Sequence, residues 1–313
     1  MFSTAATLLP VFGLIIAGLV CRRRNLFGPT AATELNRFVV WLALPALLFD
    51  IMAHATWHEL NQPAFVAAFG IAAAIVFVAT LGLRIAGGRT LADASIDAVA
   101  ASYPNTGYVG FPLCMIVFGS VSQTPTTIAT ILVVCVLFAF AIVLIEAGLQ
   151  THQAPHRIVL GVFRGLLRNP LIVAPAVGAL VSAAHLSIPA SIETLLKLLG
   201  AAASPCALVC LGAFLGEKRP SRGAGPAALM LTVAKLILQP ALTWWFAAKV
   251  FDLPPVLVGI AVLLAALPTG TGPFMLAEHY RREAMATSQT ILLSTFGSLV
   301  SLSVILVYLR HVG

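Results

Sequence analysis

The chain has 313 residues, 60% of them hydrophobic and only 9% charged, with a formal net charge of +7. A soluble domain carries about 25% charged residues, so this chain lacks the charge to cover a water-facing surface. The basic excess sits at the ends of apolar runs rather than in one patch, which excludes a nucleic-acid-binding surface.

Apolar runs of about 20 residues recur, the length at which a helix crosses a bilayer with its backbone bonded internally. Period-2 alternation, the barrel signature, is absent. The expected class is an all-α integral membrane protein. No basic segment precedes the first run, so no cleavable signal is expected.

Ten spans are predicted. Span 1 (5–21) ends at Arg22, Arg23 and Arg24. Span 2 (35–53) holds "ALPALLF" around Pro45, and span 3 (63–84) is uniformly apolar. Span 4 (94–119) contains "YPNTGYVGFP", and span 5 (125–148) comes next. The longest non-apolar stretch, "LQTHQAPHRIVLGVFRGLLR" (149–168), divides the chain. Span 6 (168–184) opens on "RNPLIVAPAVGAL", and span 7 (190–215) holds "ASPCALV" around Pro205. Span 8 (226–249) carries Lys235 and Gln239, span 9 (254–279) contains "LPTGTGPFML", and span 10 (286–309) completes the set.

The positive-inside rule tests that count. Fourteen of the eighteen Lys and Arg fall in loops of one side: Arg22–Arg24, Arg37, Arg84, Arg89, Arg157, Arg164, Arg168, Lys218, Arg219, Arg222, Arg281 and Arg282. The opposite loops ("HATWHELNQ", "SVSQTPT", "HLSIPAS", "FDLPP") hold almost none. Both termini are therefore expected to face outward. The division at 151–167 leaves five spans in residues 1–150 and five in 168–313. Five is odd, so equivalent spans run in opposite directions, the geometry of an inverted repeat. Pro45 and Pro205 occupy equivalent places, as do the Pro-polar-Gly cores of spans 4 and 9.

Those two cores carry the functional expectation. Pro104 lacks an N–H and disfavours helix at Tyr103, Gly107 and Gly110 loosen the next turns, and Pro112 removes a second donor. In span 9, Pro268, Gly270, Gly272 and Pro273 bracket Thr269 and Thr271. Irregular backbone at membrane depth survives only inside protein or against a water-filled cavity, and matched breaks mark a transporter's binding site. Each break creates a half-helix N-terminus, near Tyr108 and near Gly272, whose N–H groups and dipole favour an anion. The expected binding residues are Asn105, Thr106, Gly107, Tyr108, Thr269, Gly270 and Thr271.

"NTGYVGFPL…FG", "LPTGTGPFMLAEHY" and "RNPLIVAPAVGAL" together resemble the auxin efflux carrier family, and the resemblance covers essentially the whole chain. It implies ten helices in two inverted repeats, with spans 4 and 9 crossing at their breaks. Spans 1, 2, 6 and 7 would form a scaffold, through which a homodimer could pair. Spans 3–5 and 8–10 would form a transport domain that moves in elevator fashion. The family carries organic anions, malonate and other carboxylates among them for bacterial members, which implies a bacterial inner membrane. Asn105 matches the family's span 4 asparagine. Span 9 often has an asparagine at its break, where this chain has "TGTG".

Lys235 lies about 13 Å deep in span 8, at 1.5 Å per residue. It either snorkels to the basic side or, with Gln239 at i+4, points inward to cap freed carbonyls or balance the substrate. Asp50, Asp93, Asp97, Glu146 and Glu278 sit near span ends, where solvated ends or ion pairs are expected. His54/His58 and His152/His156 have i, i+4 spacing but no third ligand, so loop histidines are expected. The five cysteines show no metal or disulfide spacing. No metal or cofactor is expected. An intramembrane enzyme would need paired acids or a Ser–His pair at depth, and neither appears. A sodium-coupled symporter of a larger amphipathic anion and an anion channel stand as the alternatives to a carrier.

Overall fold

The computed structural model describes residues 2–55, 61–149, 163–164, 166–216 and 225–312. His58, His152, His156, Arg157, Lys218, Arg219 and Arg222, and most of the 151–167 linker, lie outside the described residues. The helices, in chain order, are α1 (Phe2–Arg23), α2 (Ala31–His54), α3 (Pro63–Ala86), α4 (Leu91–Ser102) and α5 (Phe111–Phe118). Helix α6 runs through Gln123–Ile131, Leu132–Leu137 and Phe138–Leu149. Next come α7 (Pro170–Ala183), α8 (Ala190–Leu215), α9 (Gly225–Val250), α10 (Pro255–Ala265), α11 (Gly272–His279) and α12 (Met285–Val312). Among the described residues there is no strand, only one isolated bridge between Pro104 and Thr269. Among the described residues six stretches are long and apolar enough to cross a bilayer: α2, α3, Leu113–Leu149, α8, α9 and Met285–Val307. The protein is an all-helical membrane protein.

Prolines shape the long helices. Pro45, Pro112 and Pro240 each come after a wide π-turn, at Val39–Ala43, Thr106–Gly110 and Ala234–Leu238. A proline donates nothing, and its ring presses on the carbonyl four residues back. That carbonyl lies within the preceding turn in all three cases, and the looser i→i+5 winding relieves the clash without ending the helix. Helix starts use ordinary capping. The Thr90 hydroxyl accepts from Asp93 N at 3.2 Å, and the Asn169 side chain accepts from Leu171 N at 3.0 Å ahead of Pro170.

The helices pack in two groups. Helix α1 lies along α8, and α2 along α7 and α8. Small residues set these distances: a Cβ at Gly212 would fall on the Ile15 carbonyl, at Gly18 on the Val209 carbonyl, and at Gly178 on the Phe49 carbonyl. In lipid no hydrophobic drive separates helix–helix from helix–lipid contact, so close backbone approach carries the association. In the second group α3 packs on α4, α4 on α6 and α11, and α9 on α3, α10 and α12. Between the groups, α1 touches α12 and α2 touches α11 more sparingly.

Gly212→Val tests the α1–α8 seam. The overlap with Ile15 has backbone on its far side, so the helices must part. Overpacking of this kind costs about 1–3 kcal/mol, and a lowered melting temperature of the purified protein in detergent is the expected result.

Candidate functional site

Helix α4 stops at Ser102, one residue before the Tyr103–Pro104 pair that disfavours it. Helix α10 stops at Ala265 ahead of Pro268. The two interrupted segments meet as a two-residue antiparallel bridge. Asn105 N donates to Pro268 O at 2.9 Å, and Gly270 N donates to Tyr103 O at 3.0 Å. Each break thus supplies the partners the other lacks. Buried backbone groups in a membrane must find partners, and here they find one another.

Side chains satisfy several further groups. The Thr269 hydroxyl donates to Ala100 O at 2.9 Å, and Thr269 N donates to Ser294 Oγ at 3.0 Å. The Gln239 amide donates to Ser102 O at 3.2 Å. Lys235 Nζ donates to Ala265 O at 2.5 Å. Lys235, Gln239 and Thr243 form one stripe on α9, each fully buried, while Ile237, Leu238 and Trp245 on other faces are exposed. Lys235 therefore does not snorkel; together with Gln239 it caps the last turn of both broken helices. Helix C-terminal carbonyls carry partial negative charge, so an amine and an amide suit them.

Gly270 and Gly272 have a steric reason to be glycine. A Cβ there would meet the Tyr103 ring at 2.8 and 2.9 Å. That ring also packs on Phe138, with centroids 5.6 Å apart, and so wedges the crossing against α6.

The helix after Pro104 resumes at Thr106, two residues before the expected Tyr108. Asn105 O accepts from Val109 N and Gly110 N, both at 3.1 Å, so Asn105 stands at the N-cap. The N–H groups of Gly107 and Tyr108 precede those first bonds and point out of the helix end. Asn105 is half-buried, Gly107 exposed, and Thr106 only 1% exposed with its hydroxyl oxygen unpartnered. Opposite them Thr271 is half-buried and caps α11, whose second residue is Pro273. Pro112 likewise sits in the first turn of α5. The expected residues thus gather around one crossing. The Thr269 hydroxyl proton and N–H are both committed to the chain.

Three of the acids near span ends, Asp93, Asp97 and Glu146, have side-chain partners. Asp97 is buried beside Arg84 Nε at 2.7 Å and Arg89 Nε at 3.6 Å. Arg282 clasps Asp93 through Nε at 2.7 Å and Nη2 at 2.5 Å. This hydrogen bonding raises the Arg282 pKa above its ordinary value, so the fork stays ionised. Glu146 accepts from the Tyr280 hydroxyl at 2.8 Å, which in turn accepts from Asn169 Nδ2 at 3.0 Å. Asp50 lies 3.2 Å from His54 Nδ1. Tyr103, Ser294 and the Glu146–Tyr280–Asn169 chain escape sequence reasoning. Tyr103 lies inside the motif without a polar role there, and the other contacts join residues far apart in the chain.

A family model described as "Membrane transport protein" matches residues 4–306. A protein of Rhizobium meliloti named "Putative malonate transporter" is 31% identical, over 99% of this chain and 97% of its own length. "Auxin efflux carrier component 8" of Arabidopsis thaliana is 22% identical over 98% of this chain and 97% of its own. "Uncharacterized transporter YfdV" of Escherichia coli is 23% identical over 94% of each. With a family match across nearly its full length, the chain belongs to the auxin efflux carrier family of membrane transport proteins and is a transporter, not an enzyme.

Proposed function

We propose that this protein is a carrier of a small organic anion, of the malonate-like carboxylate class, bound at the crossing of the two broken segments. The observation that carries the reading is the arrangement around Asn105. A half-exposed amide, an unpartnered Thr106 hydroxyl and first-turn N–H groups stand together at a helix N-terminus. That set donates hydrogen bonds and carries partial positive charge, so it suits a carboxylate. The name of the Rhizobium meliloti relative points to the same class.

The architecture we infer is ten spans in two inverted repeats, residues 1–150 and 168–313 joined by 151–167. Helices α4–α5 and α10–α11 each make one broken span. The group α1, α2, α7 and α8 is the scaffold, and the remainder is the transport domain. The sparse packing between the groups, against the close glycine seams within the first, supports a sliding boundary between them. Elevator-type alternating access then carries the crossing from one side to the other. The arginine-rich ends face the cytoplasm of a bacterial inner membrane, and both termini face the periplasm.

Two variants test this reading. Asn105→Ala removes a hydrogen bond to a charged group, worth about 1.5–3 kcal/mol. Malonate affinity, measured as concentration-dependent uptake into proteoliposomes, is expected to fall roughly 10- to 150-fold with the melting temperature little changed. Unaltered affinity would remove Asn105 from the site. Lys235→Met keeps the stem but leaves Ala265 O buried without its partner. Stability should drop by about 1–3 kcal/mol, with uptake lost alongside it. A variant that melts and transports like the parent would mean that the cap is dispensable.

A further inference from the structure

At the arginine-rich end a polar cavity of about 570 Å³ opens between α2 and the loop after α11. One wall carries Asn36, Arg37 and Trp41, and the other His279, Arg281 and Arg282. Glu278 adds a carboxylate to the second wall. Three arginines and one acid from two packing groups thus line one space.

Two of these arginines already have carboxylate partners. Arg37 reaches Glu34 at 3.1 Å on an exposed face, and Arg282 turns to Asp93. Arg281 forms no ion pair among the described residues. Its backbone is informative: φ is +52°, in the left-handed region. Arg282 N bonds to Ala277 O at 2.7 Å and Arg281 N to Glu278 O at 3.2 Å, the two bonds of a Schellman cap. Glycine is the usual residue at that position, because a Cβ is strained there. This chain places an arginine there, lining the cavity. On the facing wall Asn36 is 4% exposed and its side-chain oxygen is unpartnered. Oxygen and nitrogen of an amide exchange places by a simple flip, so either end of that buried group can turn to a ligand.

We propose that this cavity is a second anion site, separate from the crossing, for a small dianion of the dicarboxylate or phosphate type. The ligand bridges α2 to the α11 loop. It pairs with Arg281 and favours the packing in which the two groups meet. Guanidinium groups suit such ligands because they donate in pairs to planar carboxylate or phosphate edges.

The test is a thermal-shift titration of the purified protein with sodium malonate and, separately, sodium phosphate. Sodium chloride at matched ionic strength is the control. Both dianions are expected to raise the melting temperature saturably, and chloride is not. In Arg281→Gly the midpoint of the phosphate titration should move up about 10-fold or more, as loss of a charge-assisted hydrogen bond implies, and so should the malonate midpoint once Asn105→Ala has removed malonate binding at the crossing. The unliganded Arg281→Gly protein should melt no lower than the parent, since glycine suits the left-handed position. Arg281→Lys, which keeps the charge and the strain, should retain part of the affinity. Asn105→Ala should keep the phosphate shift. In Asn105→Ala, a lower midpoint for malonate identifies the ligand as a carboxylate, and a lower one for phosphate identifies it as inorganic phosphate. If Arg281→Gly does not fold, Arg37→Gln on the opposite wall carries the same expectation. The proposal is overturned if chloride reproduces the shift, if no dianion shifts the melt, if the arginine variants keep the parent's midpoint, or if Asn105→Ala alone abolishes the effect.

Discussion

The structure depends on one constraint: a backbone interrupted at membrane depth must have every polar group answered. Pro104 and Pro268 create two interruptions, and the antiparallel bridge between Pro104 and Thr269 lets each answer the other. An isolated break would leave several buried N–H and C=O groups exposed to hydrocarbon, each costing several kcal/mol. Two breaks brought together turn that cost into a joint. The remaining carbonyls fall to Lys235, Gln239 and Thr269, so α9 and α12 are recruited to the same point. The site's rigidity thus comes from the same pairing that makes it possible.

Some polar groups at the crossing are buried in bonds within the chain, and others keep exposure. Thr269, Lys235 and Ser294 are committed to the chain, and the Gln239 amide donates into it as well. Asn105, Gly107 and Thr271 keep exposure, and Thr106 keeps an unpartnered hydroxyl. Tyr103 fills the space that Gly270 and Gly272 leave, fixing how near the segments approach. Toward the arginine-rich end, the Asp93–Arg282 and Asp97–Arg84 pairs tie α4 to its neighbours. The Glu146–Tyr280–Asn169 chain joins α6 and the α11 loop to the start of α7, across the line between the two packing groups.

The fold's helices were legible because membrane helices announce themselves by length and apolarity, and the breaks because proline and glycine act locally. Six described stretches are helices long and apolar enough to cross a bilayer, and the chain leaves helix at Tyr103 as the Pro104 argument requires. Partners across the chain were not legible. Spacing placed Lys235 and Gln239 on one face but could not say which carbonyls they cap, since those lie 30 and 137 residues away. Asp93 and Asp97 looked like span ends, with solvation and ion pairing both open, and only the arrangement of α3, α4 and the α11 loop decides for ion pairs. Arg281 gave no sign in sequence of its left-handed backbone, because that conformation is imposed by the cap around it.

The central claim is that the crossing of the two broken segments binds a small carboxylate through Asn105 and the adjoining helix end. Calorimetric titration of the purified protein with malonate and with an amine of similar size, such as 1,3-diaminopropane, tests it most directly when repeated on Asn105→Ala. The account predicts saturable binding of malonate, no binding of the diamine, and malonate affinity weakened in the variant. Binding of the diamine in place of malonate, or malonate binding indifferent to Asn105, would contradict it.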